Sequence, residues 1–156
     1  MEEEQRQGDT AGSTGAFGIT PDEASLLKQS WRAIEEDAVG IGDLFYRKLF
    51  ELAPQLRRHF PQEVAAQREK LMATLGHAVA YLDQMDALED DVRALGRRHV
   101  SYGASEVDYS VVGDALMWTL ERGLGEAWSD EVESAWEKTF TALSQVMIRA
   151  ARGGER

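Results

Sequence analysis

The chain has 156 residues, 43 % of them hydrophobic, and a formal net charge of −11; this is one domain by length, with enough apolar material for a sizeable core. An acidic chain without a basic stripe argues against nucleic acid and anionic membrane surfaces as partners. Cysteine is absent, which excludes disulfides and thiolate metal sites. No apolar run is long enough to span a bilayer, and Met1-Glu2-Glu3-Glu4-Gln5 is the reverse of a basic signal-peptide start, so a cytoplasmic protein is expected.

Residues 1–18 hold Glu, Gln, Gly, Ser and Thr with almost nothing apolar. Burial cannot offset their ordering entropy, and a disordered tail is expected. A folded domain is expected over 19–151, with a frayed end over 152–156. It starts at Thr20-Pro21-Asp22-Glu23, where Thr20 suits an N-cap, Pro21 the first helical position and Glu23 a capping box. Leu26, Leu27, Trp31 and Ile34 follow at helical spacing. Gly40 and Gly42 lie near the next helix start, and Leu44, Phe45, Lys48, Leu49 and Leu52 continue it. Pro54 opens a further turn carrying Leu56 and Phe60, limited by Pro61 because the residue before proline avoids helical angles.

From about Glu63 to Gln84 the spacing predicts a long helix. Its apolar or small face reads Gln67, Leu71, Thr74, Leu75 and Ala78, with polar Gln67 heading a core-facing stripe. Leu88, Val92 and Leu95 lead to His99 in a helix that ends at Tyr102-Gly103. Another begins near Glu106, carries Val112, Leu116 and Leu120, and stops at Gly123 and Gly125. Ser129 can cap the last helix, whose stripe Val132, Trp136, Phe140, Leu143 and Met147 reads as core. No alternating strand pattern and no hairpin turn appears. The fold class is all-α, without internal repeats.

His99 is the residue type with the most chemistry to offer. Imidazole suits iron, and a ligating histidine usually donates its other ring N–H to a carbonyl. The carbonyl of Leu95, one turn back, is in place for that. A single histidine near a helix end is more often an ordinary half-buried residue, so the rest of the chain has to decide.

The order of several short pieces decides it. They are Leu-Phe-Tyr at 44–46, His-Phe-Pro at 59–61, Gln67-Arg68-Glu69-Lys70-Leu71-Met72, Leu95-Gly96-Arg97-Arg98-His99, Tyr102-Gly103, Tyr109, Val112-Gly113 and Ala135-Trp136. With no gap needed between Gln67 and Tyr109, the chain from about Thr20 to Ala150 resembles the globins. The likeness is to single-domain bacterial globins of the Hell's Gate type, the haem domain of flavohaemoglobins and, further off, neuroglobin. It implies a three-over-three helical sandwich with a short connection in place of a D helix, and haem b as cofactor. By the resemblance His99 is the proximal iron ligand and Phe60 packs on the haem face. Gln67 and Tyr46 take the distal positions, and Leu71 roofs the ligand pocket. Lys70 and Arg98 match positions that reach the haem propionates, Leu95 lies beside the ligand histidine, and Tyr109 lies on the proximal side. His59 and His77 are read as surface or satisfied residues. His77, ten residues after Gln67, falls about 80° off its face and is a poor sixth ligand.

The resemblance implies O₂, NO and CO as ligands of a pentacoordinate ferrous haem. Tyr46 and Gln67 can both donate to bound O₂, so tight binding with slow release is expected. NO dioxygenation would need an external reductase, since no flavin and nicotinamide domain follows in this chain. Flavohaemoglobins place a glutamate late in the last helix, in a network with the proximal histidine. Counted without gaps from Trp136 that position is Ala151, and no acid lies between Glu137 and Glu155. Its absence argues against strong peroxidase chemistry. The competing readings are a redox or gas sensor read by a partner protein, and a haem-free globin-shaped interaction module. The sequence is silent on oligomeric state.

Overall fold

The computed structural model describes residues 18–60, 63–82, 85–101 and 106–154. Apart from Gly18, the expected N-terminal tail lies outside them, as do Pro61, Tyr102 and Gly103. The described residues form six α-helices: α1 (Pro21–Glu35), α2 (Ala38–Leu52), α3 (Ala65–Ala80), α4 (Met85–Ser101), α5 (Glu106–Leu124) and α6 (Asp130–Gly154). Two 3₁₀ segments, Pro54–His59 and Gly125–Ala127, join them.

Local chemistry sets several of these ends. Thr20 Oγ1 accepts from the Glu23 amide at 3.1 Å, and Glu23 Oε1 accepts from the Thr20 amide at 3.0 Å, so the capping box closes. Asp37 Oδ1 caps α2 through the Gly40 amide at 3.2 Å. Ser129 Oγ caps α6 through the Val132 amide at 3.2 Å. Helix α5 stops where Gly125 takes a φ of +56°, a left-handed conformation that suits glycine.

The helices cross in two layers, with α1, α3 and α4 over α2, α5 and α6. Leu27, Ile34, Leu49, Leu88 and Leu120 are almost completely buried between the layers. Trp136 is buried with them, its ring 6.2 Å from that of Trp31. Its indole N–H donates to Ser30 Oγ at 2.9 Å, and Ser30 in turn donates to the Leu26 carbonyl. A buried polar group thereby keeps a partner, and Trp136 is core, as its stripe suggests.

Three details differ from the sequence reading. Helix α3 ends at Ala80 rather than near Gln84, because the chain turns at Tyr81 and buries Leu82 at 2 % exposure; Gln84 lies outside the described residues. Helix α6 runs on to Gly154, past the expected boundary at Ala151. On α3 the fully buried residues are Met72 and Val79, whereas Leu71, Leu75 and Ala78 are half-buried and Thr74 is exposed. The helix therefore has two apolar faces. One packs on α1 and α2, and the other carries the half-buried Leu71, Leu75 and Ala78.

Candidate functional site

Helices α3 and α4 are held by different neighbours. Helix α3 lies on α1 and α2, and α4 lies on α6. The hold on α4 is close at Gly96, where an added methyl would run into the backbone carbonyl of Met147. Only glycine permits this approach. Toward the other end, His77 Nε2 on α3 lies 2.9 Å from Asp91 Oδ2 on α4. Gln67 stands about 15 Å back from that tie along α3, and His99 about 12 Å on along α4, at 1.5 Å per residue. The two side chains thus stand two to three turns from that tie, each on its own helix.

Helix α4 carries His99, half-buried in its last turn. Its Nδ1 lies 2.9 Å from the Leu95 carbonyl oxygen. With Nδ1–H donating there, the lone pair is on Nε2. Burial pushes the His99 pKa down; the Leu95 bond opposes this, and the Arg98 charge adds to the lowering. The ring is therefore held neutral, the form in which imidazole binds a metal. Tyr109, from α5, lies nearly parallel to the His99 ring, with centroids 6.2 Å apart and planes at 30°. Arg98 is exposed beside it, and Leu95 is half-buried.

On the α3 side, Tyr46 is buried in an aromatic cluster. Its ring meets Phe45 and Phe60 edge-on at 5.0 and 5.5 Å, and Phe50 lies 5.9 Å away. Burial raises the Tyr46 pKa to about 12, offset in part by the Gln67 amide donating to the phenolic oxygen. The hydroxyl thus keeps its proton across the physiological range, and Gln67 leaves that proton to be donated elsewhere. Leu71 is half-buried one turn after Gln67, and Lys70 is exposed at the rim.

The structure therefore brings Tyr46, Phe60 and Gln67 together, and separately His99, Leu95 and Tyr109. The sequence reading did not single out Phe50 and Arg57. Phe50 packs on Phe60 at 5.3 Å, and its place four residues after Tyr46 was a readable signal. Arg57 lies over the Phe50 ring at 5.2 Å and donates to the Phe60 carbonyl at 3.3 Å. That contact depends on the 3₁₀ turn and had no signal in the spacing. Neither remaining histidine joins either group, since His59 is exposed on the 3₁₀ segment and His77 is tied to Asp91.

A neutral imidazole, two polar groups from other helices and a set of half-buried apolar side chains are a chemistry that fits a flat apolar cofactor carrying a metal. The half-buried side chains of Phe60, Leu71, Leu75, Ala78, Leu95 and Val112 pack at the margin of the core rather than inside it. They supply apolar surface that such a cofactor would cover. Among the described residues no helix is long and apolar enough to cross a membrane, and no cluster of three or more His, Asp or Glu could hold a bare metal ion.

Known proteins share this fold. The globin family model matches residues 43–147. Neuroglobin-1 of Oncorhynchus mykiss is 30 % identical over 152 residues, covering 88 % of this chain and 96 % of the relative. A bacterial globin from Campylobacter jejuni superposes with a TM-score of 0.76 at 17 % identity, covering 87 % of this chain and 99 % of its own. A hexacoordinated heme protein from an anhydrobiotic tardigrade gives 0.77 at 20 % identity, covering 87 % of this chain and 97 % of its own. The fold likeness spans both layers, and the family match covers more than half of the sequence, from the second helix to the last. The chain belongs to the globin family.

Proposed function

We propose that this globin binds haem b through His99 Nε2 and takes up O₂ reversibly on the side of Tyr46 and Gln67. The observation that carries this reading is a neutral, Leu95-anchored His99 on one helix of a globin fold and a hydrogen-bonded Tyr46–Gln67 pair on two others. When bound, the haem supplies an iron that holds O₂, NO or CO and moves negative charge onto the diatomic. The chain's own residues do the rest. His99 keeps its lone pair available because burial disfavours protonation. Phe60, Leu71 and Leu75 would cover the apolar surface of the haem, and the exposed Lys70 and Arg98 would pair with its acidic groups. Tyr46 donates its hydroxyl proton toward the ligand while accepting from Gln67. A hydrogen bond to a charged acceptor contributes roughly 1.5–3 kcal/mol, so release slows by about tenfold to a hundredfold.

In this reading the ferrous haem would be pentacoordinate, since His77, the other histidine of α3 and α4, is turned to Asp91. Leu95 offers His99 a neutral carbonyl rather than a carboxylate, which leaves the imidazole less basic and favours binding over O–O cleavage. Oxidation of NO to nitrate would use the same pocket together with a separate electron donor. The testing experiment is the absorption spectrum in ferric, deoxy-ferrous and oxygenated forms, beside His99→Ala. A Soret band with a pentacoordinate deoxy spectrum, lost or severely altered in the variant, is expected. A hexacoordinate deoxy spectrum would replace this reading with a redox or sensing role. A folded protein that takes up no hemin would end it.

A further inference from the structure

Gln67 is the third residue of α3, and the start of this helix is weakly secured. Its N-cap position is Val64, no side chain caps it, and no acid stands in its first turn. Helices α1, α2 and α6 all have side-chain caps. Arg68 ties the first turns of α3 to α2. Its stem lies across a notch in α2 at Gly42, where an added methyl would collide with the Arg68 Cγ. Its Nη1 donates to Asp43 Oδ1 at 2.7 Å. Met72, one turn on, packs beside the same notch.

This arrangement runs against local stability in three ways. A cation near a helix N-terminus opposes the helix dipole. The Arg68 Nε is buried without a hydrogen-bond partner, which is costly. A half-exposed ion pair recovers little of that. The register explains the arrangement better than stability does. Tyr46 follows Gly42 by one turn on the same face of α2, and Gln67 precedes Arg68. The clamp on Gly42 and Asp43 therefore fixes how far α3 is slid along α2, and so whether Gln67 reaches the Tyr46 hydroxyl.

We infer that Arg68, held by Asp43 across the notch at Gly42, is a positioning residue for the Tyr46–Gln67 pair and thereby sets the rate at which a diatomic ligand leaves the pocket. The second half rests on the haem-binding function proposed above; the first half does not. Two measurements separate them. In the haem-free protein, the nuclear Overhauser contact between the Gln67 side-chain amide and the Tyr46 ring should be present, and lost in Arg68→Met, which keeps the stem but removes the guanidinium. In the haem-loaded protein, Arg68→Met and Asp43→Asn should each speed O₂ release by about three- to tenfold, the change for one ordinary hydrogen bond. Both should shift the C–O stretch of the CO form towards that of a less polar pocket. In a Tyr46→Phe background the same changes should add little, because the group being positioned is gone. If Arg68→Met fails to fold, Asp43→Asn carries the test alone. Unchanged release and C–O stretch, or effects that add fully to Tyr46→Phe, would assign Arg68 to fold maintenance only. Persistence of the Overhauser contact in Arg68→Met would overturn the positioning claim even if no haem binds.

Discussion

Replacing Tyr46 by phenylalanine removes one oxygen atom from the middle of the proposed pocket and leaves the packing almost intact. The edge-on contacts to Phe45 and Phe60, at 5.0 and 5.5 Å, involve the ring and not the hydroxyl. The variant loses the hydrogen bond with Gln67, a net cost of about 0.5–1.5 kcal/mol at neutral pH. It also loses a titration effect of opposite sign. Folding raises the Tyr46 pKa from 10.0 to about 12. Below pH 10 folded and unfolded chains both keep the proton, and the shift has no effect on stability. Between the two values the unfolded chain releases its proton first, so stability falls as pH rises. At pH 11 that loss amounts to about 1.4 kcal/mol. The wild type should therefore be the more stable protein at pH 8, with the gap closing or reversing by pH 11. Urea unfolding of both haem-free proteins at the two pH values measures this, and the other tyrosines and lysines cancel in the comparison. In the haem-loaded protein, displacement of O₂ by CO in a stopped-flow instrument should show release about tenfold to a hundredfold faster in the variant. A gap that stays constant from pH 8 to 11 would refute the burial argument, and an unchanged release rate would refute the distal role.

Three further substitutions probe other joints. Gly96→Ala should force α4 away from the Met147 carbonyl, costing about 1–3 kcal/mol and shortening haem retention; equal hemin-loss rates in variant and wild type would contradict this. Ser30→Ala should strand the buried Trp136 N–H and lower stability by about 1–3 kcal/mol, read as a shifted urea midpoint with an unchanged slope. Asp91→Asn removes the acid from an exposed pair with His77, for which less than about 1 kcal/mol is expected; a larger loss on thermal unfolding would show that this tie does more than bridge two helix surfaces.

The sequence made the site legible where a residue type breaks its surroundings. Gln67 stands out as a polar group at the head of an apolar stripe, and His99 ends a run of Leu88, Val92 and Leu95. Both are on helices, where ~100° per residue fixes the face. The blurred part is α3 itself. This helix is apolar on two sides, so Leu71, Leu75 and Ala78 compete with Met72 and Val79 for one pattern. The stripe through Gln67 selects the first of these sets, which is why its members are half-buried and Thr74 exposed.

Arg68 and Gly96 were illegible for a common reason: each is justified only by an atom on another helix. A cation between Gln67 and Glu69 reads as a solvated residue until Asp43 and the notch at Gly42 are opposite it. A glycine inside α4 reads as a weak point until the Met147 carbonyl is against it. Arg68 ties α3 to α2 and Gly96 lets α4 close on α6, so both bear on how far apart the two groups of candidate site residues stand. The proposed ligand-facing groups, Tyr46, Gln67 and His99, are chosen by chemistry and show in one dimension. The distance at which they work is chosen by packing between helices, and that information lies in pairs of residues that no single-helix pattern contains.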